Sequence, residues 1–352
     1  MLGTVQSGGE SAAISMQGKG VPVADFGDAR AEFRALLNGC GIYELSDRGV
    51  IVLRGNDRVR WLNGMVTNNI RDLGPGHGAY AFLLNPQGRI LGDLHAYNRG
   101  DDLLLETSRN QLEKLLPIFD HYIIMDDVEV SDASETRAAI GLAGPKAEAV
   151  LKAAGIETKE LGPLEFRETA WGSGVKLTVV RGEQERHPSY EIWIAPENCE
   201  ALWKTLLQSG ATATGTTALE WHRIALGVPR YGVDIRERDL PQETEQTRAL
   251  NFNKGCYVGQ EIVERIRSRG AVHRTFTGFV VEGPMPAPGT RLQLDGKDVA
   301  EITSAASLPH GDDQMQVALG YVRRDVGSPG KELTAGERKA KVSPLPFEVL
   351  WN

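Results

Sequence analysis

Helix and strand signals follow one another irregularly along this chain. Apolar runs of strand length at residues 49–53 and 175–180 are separated by helical segments that begin after capping residues such as Asp28 and Asp57. A doubly wound parallel sheet needs a repeated strand–helix–strand rhythm, and these segments do not supply one. The sequence therefore predicts an α+β fold, with a length suited to roughly two to three domains.

The two ends of the chain differ from this middle part. Residues 1–22 are rich in Gly, Ser, Ala and Gln, a composition typical of a flexible segment. From Thr275 onward, short apolar runs alternate with clusters of Pro, Gly and Asp. Short strands separated by such turns are typical of a small barrel or sandwich, so residues 275–352 are predicted to form an all-β domain.

A β-hairpin is predicted around the turn Asn85-Pro86-Gln87-Gly88. The runs Ala79–Leu84 and Arg89–Tyr97 flank this turn and have the composition of strands. If the turn is symmetric, Tyr80 lies directly opposite Asp93 on one face of the sheet. A bulge at the glycine of the turn would shift that register by one residue.

Two further helix starts are predicted from side chains that accept hydrogen bonds from free backbone N–H groups. Ser108 is predicted to cap a helix over residues 110–116. Thr217 and Glu220 have the spacing of a capping box, so a helix is predicted to begin there and to end at Gly227, with Arg223 inside it.

Composition narrows the classes of partner. The net charge of -8 argues against general nucleic-acid binding, which requires clustered Lys and Arg to neutralise phosphates. No apolar run approaches the roughly 18–20 residues of a membrane-spanning helix, and no secretory signal is evident, so we expect a cytoplasmic protein without a membrane partner. Residues 254–274 are locally basic and form either a site that attracts a small anion or a solvated face.

The cysteines argue against a metal site made by this chain alone. Cys40, Cys199 and Cys256 lie far apart, and no Cys or His residues have the spacing of metal ligands. Because an iron–sulfur cluster usually takes four thiolates, this chain would have to share such a cluster with a partner.

Reactive groups are densest in Lys254-Gly255-Cys256-Tyr257-Val258-Gly259-Gln260-Glu261. The two glycines permit a tight loop that exposes the thiol, and Lys254 is near enough in sequence to favour the thiolate. The thiol is either poised for redox, metal or covalent chemistry, or it belongs to a buried structural cysteine in a glycine turn. A nucleophilic pair with a histidine is a third possibility.

This octapeptide resembles the signature of the YgfZ family of folate-binding proteins, which are relatives of the glycine-cleavage T-protein, an aminomethyltransferase. Residues 223–235 and 240–243 resemble the segment that precedes the signature in both groups, and residues 80–94 resemble their shared hairpin. The resemblance implies a three-domain cloverleaf around an opening that binds tetrahydrofolate. Its parts would be two interleaved α+β folate-binding domains at 23–140 and 141–250, the signature segment at 251–274 and a C-terminal β-barrel domain at 275–352.

The resemblance also implies folate contacts at Tyr80, Asp93, Glu191 and Arg223, which match positions of the T-protein family. The chemistry of Glu191 agrees, since a carboxylate accepts from the adjacent N–H and amino groups of a pterin. Trp193 lies two residues further along the same predicted strand and would add an aromatic wall. Structural roles are the alternative for each of these residues: Tyr80 and Trp193 as core aromatics, Asp93 as a strand-end carboxylate, and Glu191 and Arg223 as an ion pair.

For function, the resemblance implies a tetrahydrofolate-binding factor that supports iron–sulfur cluster assembly or repair in client enzymes, including tRNA-modifying enzymes. Cys256 would be the working thiol, tuned by Lys254 and Tyr257, and iron–sulfur client or assembly proteins would be the partners. The alternative is a folate-dependent aminomethyltransferase or demethylase in which Asp93 handles a proton. T-proteins usually carry two adjacent Asp residues here, and Gly92 in place of the first weakens this alternative. A scaffold that only docks a partner is a third hypothesis.

Overall fold

The computed structural model describes residues 23–158, 161–184, 188–270 and 272–350. The predicted flexible segment 1–22 lies outside the described residues. The α-helices within these ranges are α1 (Ala29–Asn38), α2 (Arg58–Met65), α3 (Leu112–Tyr122), α4 (Ala147–Ala153), α5 (Pro196–Gln208), α6 (Thr216–Leu226) and α7 (Gln260–Arg269).

The strands are β1 (Gly41–Glu44), β2 (Arg48–Arg54), β3 (His77–Leu84), β4 (Ile90–Asn98), β5 (Leu103–Ser108), β6 (Glu129–Asp132), β7 (Ala138–Ala143), β8 (Phe166–Trp171), β9 (Val175–Arg181), β10 (Ser189–Ile194), β11 (Thr212–Ala213), β12 (Arg274–Glu282), β13 (Arg291–Leu294), β14 (Lys297–His310), β15 (Asp313–Arg323), β16 (Glu332–Ala335) and β17 (Arg338–Ser343). Short 3-10 turns are described at Arg109–Gln111, Pro241–Thr244, Thr247–Ala249 and Glu348–Leu350.

These strands form two open sheets and a closed barrel. The first sheet has the order β3-β4-β5-β2-β6, the second has the order β11-β1-β7-β10-β9-β8, and the barrel closes in the order β12-β15-β14-β13-β16-β17. Strand β1 joins the second sheet between β7 and the short parallel strand β11, although it precedes the first sheet in the chain. The predicted mixture of helices and strands and the predicted C-terminal β domain are confirmed.

Each sheet buries one face against helices. The first sheet packs on α2 and α3 through residues such as Trp61 and Phe119, and the second packs on α4 and α5 through Trp203. The other faces of the two sheets meet in a smaller apolar cluster that includes Tyr97 and Trp193, whose ring centroids lie 5.0 Å apart. Polar residues beside this cluster are therefore held between the two sheets. The predicted boundary between residues 140 and 141 falls within β7, and the domain division itself stays a prediction.

The hairpin forms where it was predicted, but its register differs. Tyr80 pairs with His95, and Asp93 pairs with Phe82, which is a shift of two residues: Leu84 already pairs with Ile90 rather than with Arg89, and a bulge between Leu83 and Leu84 adds the second residue. The prediction that Tyr80 and Asp93 are directly opposite was therefore wrong. The two residues are diagonal neighbours on one face, which is a separation that a long aromatic side chain spans.

Helix caps follow the predictions only in part. Asp28 accepts hydrogen bonds from the first-turn N–H groups of Arg30 and Ala31, which confirms the start of α1. Ser108 makes no capping bond, since a 3-10 turn separates it from α3. The capping box at Thr217 was also wrong, because the N-cap of α6 is Gly215, two residues earlier, and the Glu220 carboxylate binds Arg223 instead.

Candidate functional site

Tyr80 and Asp93 are joined directly on the face of the first sheet that is turned away from its helices. The Tyr80 hydroxyl donates to Asp93 Oδ2 at 2.8 Å, and Gln111 Nε2 donates to Asp93 Oδ1 at 2.8 Å. Burial raises the pKa of Tyr80 well above its ordinary value, and the negative charge of Asp93 adds to this effect. The phenol therefore stays a donor, and the carboxylate is held in one orientation.

Gly92 faces the opposite side of the same strand. A Cβ atom built on it would lie 2.8 Å from Gln111 Oε1 and 2.9 Å from Leu115 Cδ2, both beside helix α3. Adjacent residues of a strand point to opposite faces, so a carboxylate at position 92 would enter that helix packing rather than join Asp93. The absence of a second Asp consequently removes no acid from the Asp93 side of the sheet.

Glu191 lies on β10 of the second sheet, next to Trp193, and is held between the two sheets. Trp193 Nε1 lies 3.4 Å from Glu191 Oε2, and the nearest guanidinium nitrogen, Arg48 Nη2, lies 3.9 Å from Oε1. Burial raises the pKa of Glu191 to about 7, and the nearby Glu106 carboxylate adds to this effect. Glu191 thus keeps capacity to accept further hydrogen bonds.

Trp193 belongs to the apolar contact between the sheets. It is 5% exposed, packs edge-on against Tyr97, and has the Arg137 guanidinium 4.0 Å from its ring centroid. The structure therefore places this side chain as a support beneath Arg137 and Glu191.

Two arginines face Glu191 and are incompletely satisfied. Arg137 Nη2 donates to the buried carboxylate of Glu106, while Arg48 Nε lies 3.6 Å from the other oxygen of Glu106. Among the described residues, Arg48 Nε and the Nε and Nη1 atoms of Arg137 are buried without a hydrogen-bond partner. Free buried N–H groups of this kind are suited to a ligand that carries an acceptor.

His95 extends the polar face between Tyr80 and Tyr97. Its Nε2 lies 3.3 Å from Glu183 Oε1, and Glu183 is also bound by Arg248 Nε at 2.7 Å. Burial opposes protonation of His95, but the Glu183 carboxylate outweighs it, so the pKa of His95 lies above its ordinary value.

The signature octapeptide presents its cysteine to solvent. Cys256 is exposed, whereas Cys40 and Cys199 are buried and have pKa values raised by burial to about 12 and about 11. Within the described part of the chain, the exposed thiol is therefore confined to Cys256. The structure does not support the alternative of a buried structural cysteine at this position.

Lys254 points away from this thiol and into the first sheet's domain. Its Nζ donates to the backbone carbonyls of Asn63, Val66 and Asn68 at 2.6, 2.5 and 2.7 Å, at the C-terminal end of helix α2 and just beyond it. Burial lowers the pKa of Lys254 to about 7, so the ammonium relies on these three acceptors to stay charged at neutral pH. This geometry anchors the octapeptide and commits the Lys254 ammonium to backbone carbonyls rather than to Cys256.

Tyr257 and Gly259 fix the octapeptide to the hairpin. Tyr257 is 8% exposed and packs in one apolar cluster with Tyr80. Gly259 has φ 82°, and a Cβ atom there would lie 2.6 Å from the carbonyl oxygen of Asn85 in the hairpin turn. A left-handed glycine is required at this close approach, so the exposed thiol is held at a defined position beside the hairpin.

Arg223 lies apart from Glu191. Its guanidinium binds Glu220, the fully buried Asp234 and Ser304 Oγ, which connects helix α6 to the barrel. The hypothesis of an ion pair with Glu191 was wrong, since Arg223 is engaged by these other partners.

Comparison with known proteins identifies the family. Residues 23–254, well over half of the chain, match the GCVT N-terminal domain. This chain belongs to the GCVT family. Its relatives include an aminomethyltransferase from Rubrobacter xylanophilus, which is 29% identical over 340 residues that cover 95% of this chain and 90% of that protein. A putative chloroplastic transferase from Arabidopsis thaliana is 28% identical over 315 residues, covering 89% and 72%.

A solved structure shows the same fold. The glycine cleavage system aminomethyltransferase T from Bartonella henselae superposes with a TM-score of 0.81 at 22% identity, covering 93% of this chain and 91% of that one. The GCVT-like fold therefore extends through the C-terminal barrel, beyond the part that matches the family's N-terminal domain.

The polar residues between the sheets of this GCVT protein could largely not be predicted from the sequence. Arg48, His95, Glu106 and Arg137 come from four separate segments, so no local motif groups them. One signal was present, because Glu106 follows directly on the apolar run Leu103-Leu104-Leu105 within a strand. A charged residue in such a run is rarely buried without a partner.

The described ranges lack a clustered set of acidic, His and Cys metal ligands and a helix able to cross a membrane. They contain no group of three or more His, Cys, Asp and Glu residues placed to hold a metal ion. None of the helices in those ranges is both long and apolar enough to cross a membrane.

Proposed function

We propose that this protein binds tetrahydrofolate between its two sheets, with the pterin N–H and amino groups donating to Glu191. The observation that carries the proposal is the carboxyl group of Glu191, which is only partly buried, with its side chain 21% exposed, and whose oxygens are only weakly engaged by protein donors. The unpaired N–H groups of Arg48 and Arg137 supply donors for the pterin carbonyl. Membership of the GCVT family and the aminomethyltransferase relatives are compatible with a folate ligand. The proposal includes the cloverleaf arrangement of residues 23–140, 141–250 and 275–352, with the ligand in its opening.

Calorimetric titration with 5-formyltetrahydrofolate tests this binding. Glu191→Gln is expected to weaken affinity by roughly tenfold or more, because a hydrogen bond to a charged group contributes about 1.5–3 kcal/mol. Glu168→Gln is the matched control, since Glu168 is exposed on β8 of the same sheet. Absence of binding heat in folded parent protein at sub-millimolar ligand would remove the proposal.

We further propose that the bound folate and Cys256 serve iron–sulfur cluster assembly or repair in client enzymes, including tRNA-modifying enzymes, as in the YgfZ branch. The support is the match of the octapeptide and the exposure of its thiol at a position fixed by Gly259. Client or assembly proteins of the cytoplasm would be the partners.

Complementation of a deletion strain tests the thiol. Cys256→Ala is expected to fail to restore iron–sulfur client activity, whereas Ser268→Ala, an exposed change on the adjacent helix, is expected to restore it. Full restoration by Cys256→Ala defeats this part of the proposal without touching the folate site.

A second candidate function is transfer of a one-carbon unit from an amine donor to tetrahydrofolate. It is favoured by Asp93, whose carboxylate is oriented by Tyr80 and Gln111, and by the finding that position 92 faces the opposite side of the sheet. The aminomethyltransferase relatives support this candidate as well as the first. Formation of 5,10-methylenetetrahydrofolate from an S-aminomethyl thiol donor, with release of ammonia and the free thiol, would establish this function if it is lost in Asp93→Asn and kept in the exposed control Asp101→Asn.

A further inference from the structure

Glu106 is a buried carboxylate that holds two arginines at once. Its side chain is 1% exposed on β5. Arg137 Nη2 hydrogen-bonds one of its oxygens, and Arg48 Nε lies 3.6 Å from the other. Burial opposes ionisation of Glu106, but the two arginines outweigh it and keep its pKa below the ordinary value. Glu106 is therefore charged, and the guanidinium groups of Arg48 and Arg137 both lie closer to it than to Glu191.

Glu191 is the second carboxylate beside the same arginines, and it interacts with them more weakly than Glu106 does. Its ion pair with Arg48 Nη2 is long, at 3.9 Å, and exceeds hydrogen-bond distance. The two acids come from different sheets, so their unequal access to the arginines arises where these sheets meet, in the apolar cluster that includes Leu104 of β5 and Trp193 of β10. Neither sheet alone creates this asymmetry.

We propose that Glu106 is a positioning residue that retains Arg48 and Arg137 and thereby leaves the Glu191 carboxylate open to the N–H donors of a bound ligand. This inference rests on the proposed folate site and names the group that keeps it available. Without the charge of Glu106, a guanidinium would move to Glu191 and form a charge-assisted pair with it. Ligand donors would then have to displace an internal ion pair.

The same arrangement sets a pH dependence of ligand binding. The titratable and charged groups that act on Glu191 are Tyr43, Arg48, His95, Tyr97, Glu106 and Arg137. Burial raises the pKa of Glu191 to about 7, and Glu106 is the next contributor. Affinity in the parent protein should fall as pH decreases through this value, because a protonated carboxyl accepts fewer hydrogen bonds. Loss of the Glu106 charge should move that fall to lower pH.

Titration of 5-formyltetrahydrofolate by calorimetry between pH 5.5 and 8.5 tests the inference on the full chain. Glu106→Gln is expected to bind roughly tenfold more weakly at the high-pH plateau and to lose affinity at a lower pH than the parent. Glu301→Gln is the matched control, because Glu301 is also mostly buried and paired with arginines, namely Arg236, Arg238 and Arg291, but lies in the barrel. It should change neither the affinity nor the pH profile.

A ligand-free measurement separates this inference from the folate proposal. The NMR signal of the Glu191 carboxyl can be followed in protein with ¹³C-labelled glutamate and is identified by its absence in Glu191→Gln. In the parent protein this signal is expected to titrate near neutral pH. In Glu106→Gln it is expected to titrate at lower pH. If the parent binds no folate, the proposed function fails while this titration still decides the role of Glu106. An unshifted Glu191 titration, with weakened binding or without it, overturns the inference.

A second variant covers the case in which Glu106→Gln does not fold. Arg48 is 32% exposed at its side chain and lies at the start of β2, so Arg48→Gln is more readily tolerated. Because Arg48 lowers the pKa of Glu191, its removal should shift the Glu191 titration to higher pH. A titration that stays in place or moves to lower pH in Arg48→Gln also overturns the inference.

Discussion

Replacing Lys254 by Met removes an ammonium group while nearly preserving the length of the side chain. Nζ donates to three backbone carbonyls, and each hydrogen bond to a charged group contributes about 1.5–3 kcal/mol. The carbonyl of Val66 is fully buried, whereas those of Asn63 and Asn68 are half-buried and regain water when the ammonium is lost. Burial of the ammonium, which lowers its pKa to about 7, offsets part of this gain. We therefore expect Lys254→Met, compared with the parent at pH 6 where the ammonium is protonated, to lower the free energy of unfolding by about 1–3 kcal/mol, less than the full sum.

Urea denaturation followed by tryptophan fluorescence measures this change. Lys114→Met is the matched control: Lys114 Nζ also has two polar partners, Tyr231 and Glu237, but its side chain is 32% exposed. Its removal should lower the free energy of unfolding by about 1 kcal/mol or less. A loss below about 1 kcal/mol for Lys254→Met would refute the anchoring role of Lys254. The earlier hypothesis, in which Lys254 tunes the thiol of Cys256, would then be favoured instead.

Further expected outcomes test separate parts of the structure. In native protein a thiol reagent should label Cys256 alone, with the other two cysteines reacting only after unfolding. Gly259→Ala should lower the free energy of unfolding by about 1–3 kcal/mol more than Gly270→Ala does, because Gly270 has a similar φ angle but open space where a Cβ atom would lie. Equal losses of stability in the two variants would contradict the close contact between Gly259 and the hairpin. Asp234→Asn should lower the free energy of unfolding by about 1.5–3 kcal/mol, because it removes the charge of a fully buried carboxylate that binds Arg223 and leaves Glu220 as the remaining carboxylate partner of that guanidinium; an unchanged melting curve would exclude this. The pKa of Glu191 is higher in the folded protein than in the unfolded chain, so the contribution of its protonated form to stability is lost as pH rises from about 4.5 to about 7. The free energy of unfolding of Glu191→Gln should therefore rise relative to that of the parent over this pH range. Denaturation curves of both proteins at about pH 4.5 and about pH 7 would show this difference.

The local sequence pattern of apolar and turn residues was enough to predict many of the strands and helices, but not which residues pair across neighbouring strands. The hairpin at residues 79–97 was recoverable from its turn, since Pro and Gly specify local backbone geometry. Its register was not, because neither the pairing of Leu84 with Ile90 nor the bulge beside Leu84 is specified by the residues of the turn alone. Tyr80 and Asp93 were correctly expected on one face, yet their hydrogen bond is diagonal.

Side-chain roles were harder to predict where the partner is distant in sequence. Lys254 was expected to act on Cys256 two residues away, but its three acceptors lie nearly 200 residues earlier. Arg223 was expected near Glu191, but Asp234 and Ser304 hold it at the barrel. Side-chain type and spacing carry no information on such long-range partners.

Strand β1 has a consequence for synthesis of the chain. Its antiparallel partner β7 is encoded roughly a hundred residues later, and its parallel partner β11 later still. At a translation rate of about 5–20 residues per second, the backbone of β1 waits about 5–20 s for its first partner to be made. During that time its N–H and C=O groups are open to pairing with other nascent chains. Expression at high ribosome density should therefore favour aggregation that begins at Gly41–Glu44, before any ligand site exists.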